Sequence, residues 1–62
     1  MTHPHLTALF ATLADLIRTA EHHAPGGKLL ADDMTGLYRR AASLHGCTPD
    51  DVRRWWEARE AT

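Results

Sequence analysis

Cys47 is the only cysteine in the 62 residues, so no disulfide can close within the chain. There is no CxxC pair and no Cys/His set at zinc-finger spacing, which excludes the usual structural zinc sites. Long apolar runs are missing as well. The N-terminal apolar stretch has no basic segment before it and is broken by Thr7, Thr12 and Asp15. A membrane span needs about 20 apolar residues and a signal peptide needs a basic start, so neither is expected, and the reducing cytoplasm is the expected compartment. The chain also lacks a basic excess, its net charge being −1. That charge is unevenly spread. Residues 1–36 carry Arg18 and Lys28 against Asp15, Glu21, Asp32 and Asp33, whereas residues 37–62 carry five arginines against Asp50, Asp51, Glu57 and Glu60. A dedicated nucleic-acid binder usually shows a clearer positive surplus.

Constellations that carry chemistry are scarce too. His3 and His5 fall near the chain start, His22 and His23 are adjacent and point apart on a helix, and His45 stands beside the turn that holds Cys47. No three or four of these ligands share a predictable face, so no metal and no cofactor is expected. The histidines are expected to be solvated, with His45 as a helix-end residue that suits the C-terminal dipole when protonated. Cys47 as a nucleophile would need a base and an orienting group in a cleft; a small structural cysteine is the expected reading, and no enzymatic activity is expected. Asp32-Asp33 and Asp50-Asp51 are sufficiently explained as helix-capping residues.

What is present is helical periodicity. Leu6, Leu9, Phe10, Leu13, Leu16, Ile17 and Ala20 follow steps of three and one, the mark of one helix face. Pro4 suits the first turn, and Ala24-Pro25-Gly26-Gly27 stops the helix. A second stripe runs through Leu30, Met34, Leu37, Tyr38, Ala41 and Leu44 and ends at His45-Gly46. Its start is open: Asp32 or Asp33 could cap a helix from about Met34, or the helix begins near Leu29, and Gly36 weakens its middle. Thr48-Pro49-Asp50-Asp51 is a strong start signal for a third helix, with threonine as cap, proline in the first turn and two carboxylates on the dipole. The expectation is an all-α single domain over residues 1–62, a three-helix bundle with helices at about 5–23, 30–45 and 49–60.

Residues 41–56 hold Ala42, Gly46, Cys47, Thr48, Val52 and Trp55 in the order of a small residue, a turn glycine, a small apolar plug, a cap and two core positions. This stretch, about a quarter of the chain, resembles the helix-turn-helix of bacterial and phage repressors and excisionases. Each residue type has a physical reason: alanine lets two helices approach, glycine turns without a Cβ penalty, cysteine fills the corner, and Val52 and Trp55 anchor the second helix. A weaker likeness of Val52, Trp55 and Trp56 to a homeodomain helix fails at Ala58, where a base-reading asparagine would stand. The helix-turn-helix resemblance implies a small DNA-binding transcription regulator of the kind that phages and mobile elements encode, with the last helix in the major groove. Carried over residue by residue, its outward positions are Thr48, Pro49, Asp50, Arg53, Arg54 and Glu57. Arg53 and Arg54 would reach guanine edges or phosphates, and Glu57 or Asp50 would accept from cytosine. Arg39 and Arg40 on the preceding helix would hold the DNA backbone.

The neutral sum of that outward face keeps a second expectation open. Trp56 lies 100° round the helix from Trp55, and an exposed tryptophan beside arginines is a common interface anchor. The rival reading is therefore a protein-interaction module, such as an adaptor, anti-regulator or inhibitor. The partner is then either double-stranded DNA or a protein. If the stripe of helix 1 exceeds what the other helices cover, a homodimer through helix 1 is expected, which would suit paired half-sites one DNA turn apart.

Overall fold

The computed structural model describes the backbone of residues 4–61 and the side chains of residues 6–59; the side chains of His3, His5 and Glu60 lie outside the described residues. The chain forms three α-helices and, among the described residues, no strand. Helix α1 spans Pro4–His23, α2 spans Ala31–His45 and α3 spans Pro49–Ala61, with a short 3-10 turn at Pro25–Gly27 between the first two. No helix among the described residues is long and apolar enough to cross a membrane.

Helix α2 begins at Ala31, one residue after the start of the expected range. Leu30 is the capping residue, in an extended conformation, and leucine offers no side-chain acceptor. Asp33 replaces the missing cap from inside the helix: its Oδ2 accepts the backbone N–H of Leu30 at 2.9 Å, which satisfies a donor the helix cannot. Asp33 thus acts in the first turn rather than preceding the helix. At the other end Gly46 takes the left-handed conformation, φ 71° and ψ 33°, and its N–H reaches the Ala42 carbonyl. The Cys47 N–H bonds the same carbonyl at 3.0 Å. At the next residue Thr48 Oγ1 accepts the Asp51 N–H at 3.2 Å, capping α3 as the sequence implies.

The core is small. Leu9 and Leu13 of α1, Ala41 and Ala42 of α2, and Val52 and Trp56 of α3 are buried together, with Leu6, Phe10, Leu16, Ile17, Leu37, Tyr38, Cys47 and Trp55 packed around them. Ala41 and Ala42 lie where α2 meets both neighbours, and their small side chains bring the helices close. Every large apolar residue of the α1 stripe among the described side chains is at least partly covered. Leu6, Phe10, Leu16 and Ile17 of that stripe remain partly exposed; among the described residues the large apolar side chains that are exposed outright are Leu30 and Leu44, at the two ends of α2.

The tryptophans divide the core differently from the expectation. Trp56 is the buried one, only 7% exposed, and Trp55 is half-buried at the edge of the core. The reason is where α1 crosses: Phe10 meets the Trp56 ring edge-on, centroids 5.9 Å apart. The guanidinium of Arg59 then covers the outer side of Trp56 at 4.6 Å and reaches the Phe10 ring at 5.9 Å. That stack is a cation–π lid over the core. Trp56 is thereby removed from the candidate interface residues, since its ring is spent inside.

Candidate recognition surface on the third helix

At 100° per residue, Asp50, Arg53, Arg54 and Glu57 occupy an arc of about 100° on α3 opposite Val52 and Trp56. All four are exposed, as are Thr48 and Pro49. Four of the six outward residues expected from the sequence therefore share one face, with Thr48 and Pro49 at the start of the helix. Thr48 serves the cap, and with Pro49, Asp50 and Arg53 it borders a shallow groove completed by Thr35 and Tyr38 of α2.

This face is internally charge-paired. Arg53 Nη2 donates to Asp50 Oδ1 at 2.8 Å. Arg54 lies 3.6 Å from Asp50 Oδ2 and 3.5 Å from Asp51 Oδ1. The hydrogen bond from Arg53 holds the Asp50 carboxyl below its ordinary range, helped by the charges of Arg53 and Arg54. In return the bond and charge of Asp50, with Glu57 one turn on, hold the Arg53 guanidinium firmly protonated. These groups are open to water, so the pairs orient side chains more than they stabilise the fold. Sequence spacing does reveal such i,i+3 and i,i+4 partners; which of several rotamers is adopted, it does not.

The two arginines of α2 part company. Arg39 follows Thr35, a residue of the groove with α3, by one helical turn. Arg40 instead lines the opposite side, against Asp15, Leu16, Thr19 and Ala20 of α1. Both are exposed, and the residues of other helices that Arg40 lies among belong to α1 and not to α3.

His45 was expected in solvent and is half-buried. Its Nε2 lies 3.0 Å from Thr12 Oγ1 of α1, a polar link between the first helix and the turn before α3. No periodicity signals this contact, because it joins residues 33 positions apart. Cys47 is half-buried in the corner; burial, and secondarily the charge of Asp51, push its thiol above the ordinary range. A raised thiol is the opposite of what a nucleophile needs. Among the described residues no group of three or more His, Cys, Asp or Glu is placed to hold a metal ion.

No protein-family model, no curated protein and no solved structure matches the chain.

Proposed function

We propose that the chain is a small DNA-binding regulator in which α2, the Gly46 turn and α3 work as a helix-turn-helix on a three-helix bundle, with α3 entering the major groove. One observation carries this reading: a turn closed on the Ala42 carbonyl, with Ala42 and Val52 inside, leaves Asp50, Arg53, Arg54 and Glu57 together on the outside of α3. A helix held at one edge by such a turn, with its opposite face free and polar, has the geometry that fits a groove about 12 Å wide. Arg53 and Arg54 supply the groove contacts, and Arg39 reaches a flanking phosphate. Titration of a duplex at two salt concentrations tests the proposal. One neutralised phosphate at Arg39, or two if Arg54 adds a second, predicts that affinity falls about three- to twelvefold over a fourfold rise in salt. A salt-independent affinity, or none at low salt, rejects it.

A second reading rests on the same carboxylates. Asp50 engages both arginines, and with Glu57 it brings the formal charge of the face to zero, which suits a protein partner better than a polyanion. If charge reversal at Arg53 and Arg54 left duplex binding unchanged while abolishing capture of a specific protein, the interaction-module reading would replace the first.

A further inference from the structure

Arg53 and Asp50 present a fixed order of hydrogen-bonding groups. One N–H of the Arg53 guanidinium is spent on Asp50 Oδ1 at 2.8 Å. The rest of its five donors remain, and both side chains are open to water. The exposed edge of the pair therefore carries a fork of donors with a carboxylate acceptor beside it. A lone arginine meets phosphate and base edges alike. This one has a carboxylate at hydrogen-bond distance, and a phosphate docking there brings two anions into contact, with Asp51 and Glu57 on the same or adjacent turns adding to the repulsion.

A base edge carries no such charge. In the major groove a G·C pair shows two acceptors on guanine, N7 and O6, followed by the amino donor of cytosine N4. That order is the complement of two arginine donors and one carboxylate acceptor. An A·T pair offers an acceptor, a donor, an acceptor and a methyl group, so it matches neither Arg53 at its second position nor Asp50 at its third. We infer that Asp50 is a specificity-determining residue: paired with Arg53, it turns that arginine from a phosphate contact into a reader of a G·C base pair in duplex DNA. The inference rests on the DNA-binding reading above and goes beyond it by naming the base pair and the residue that selects it.

The test is selection of binding sites from a random duplex pool, followed by affinity measurements on the selected duplex and on copies with each G·C pair changed in turn to A·T. For the wild type, one such change costs about tenfold or more, the scale of a lost bidentate contact. In Asp50→Asn that cost shrinks to about threefold or less, and binding to scrambled duplex tightens. Its dependence on salt steepens by about one unit of slope, because the freed Arg53 now neutralises a phosphate. Asp32→Asn makes the same change in net charge in the first turn of α2 and leaves the G·C preference in place. Arg53→Lys keeps the charge but loses the fork, and is expected to lose the preference while retaining its salt slope; Asp50→Ala takes the place of Asp50→Asn if that variant fails to fold. Undiminished discrimination in Asp50→Asn, whatever Arg53→Lys does, overturns this inference alone. Absence of duplex binding by the wild type at low salt overturns the DNA reading itself, and this inference with it.

Discussion

Gly46→Ala and Gly36→Ala are the same chemical change made at two backbone positions, and opposite effects are expected. At Gly46, a Cβ would meet nothing within 4 Å, so the cost has no steric contact in it. What remains is conformational. The φ of 71° places an L-residue in the left-handed region at about 1–2 kcal/mol, partly offset by the smaller conformational freedom of an unfolded alanine, about 0.4–1 kcal/mol. A net loss of about 1 kcal/mol follows. Gly36 lies inside α2, is not among the glycines of positive φ, and also has open space where a Cβ would stand. There alanine brings the ordinary gain of a better helix former, about 0.5–1 kcal/mol.

The two variants thus differ by roughly 1.5–2 kcal/mol. For a domain of this size 1 kcal/mol moves Tm by about 4–8 °C, so thermal melts followed by far-ultraviolet circular dichroism should place them about 6–16 °C apart, on either side of the wild type. Gly46→Asn, which tolerates the left-handed region better, is expected between Gly46→Ala and the wild type. If both alanine variants shift Tm the same way, Gly46 is not the left-handed closure of α2 and the geometry of the turn is wrong. The turn also sets the angle between α2 and α3, so on the functional proposal Gly46→Ala weakens duplex binding at temperatures where the variant is still fully folded.

Trp56→Ala is expected to cost about 3–5 kcal/mol, most of the total of roughly 3–9 kcal/mol available to 62 residues, and Trp55→Ala roughly 2 kcal/mol; urea unfolding of the two should rank them in that order, and the reverse order would return Trp56 to the surface. Thr12→Val removes the partner of His45 at constant shape and should lower stability by about 1 kcal/mol with no loss of helix content, read from urea midpoints. The carboxyl of Asp50, held down chiefly by the hydrogen bond from Arg53, should titrate below the ordinary value of about 3.9 in an NMR pH series and move up in Arg53→Ala. The sign follows from the lowered value: the pairing contributes above the unfolded carboxyl's range and is lost as pH falls below about 4, so an unchanged midpoint in Arg53→Ala would mean that the pair does not form in solution.

The helices were legible in the sequence because each leaves a local trace. The three-and-one steps of α1, the Thr48-Pro49-Asp50-Asp51 start of α3 and the closing Gly46 each act within a turn of the residues that reveal them. Legibility failed where the decision was tertiary. Trp55 and Trp56 lie on either side of the buried direction of α3, and only the crossing of α1, through Phe10, decides between them. The same holds for Arg40, which α1 draws to its own side, and for His45, which finds Thr12 across the fold. The start of α2 was open for a different reason. Asp33 caps it from its third position, so an acidic residue that looks like a boundary is already inside the helix.

Asp50 lies between these two cases, and on the functional proposal it decides most about recognition. Its neighbours at three and four residues are visible in the sequence as possible partners, yet the chain also contains Asp51 and Glu57 within reach of the same arginines. Which carboxylate takes Arg53 determines whether the outward face behaves as a row of cations or as a set of oriented dipoles. With Arg53 on Asp50 at 2.8 Å and Arg54 shared between Asp50 and Asp51 at 3.5–3.6 Å, no arginine on this face of α3 offers an uncompensated charge. A polyanion is then attracted weakly from a distance, and any tight complex must come from matched hydrogen bonds at contact. Net charge −1 for the chain is consistent with that mode of binding, in which affinity for arbitrary duplex is low and discrimination resides in the few groups that meet the base edges.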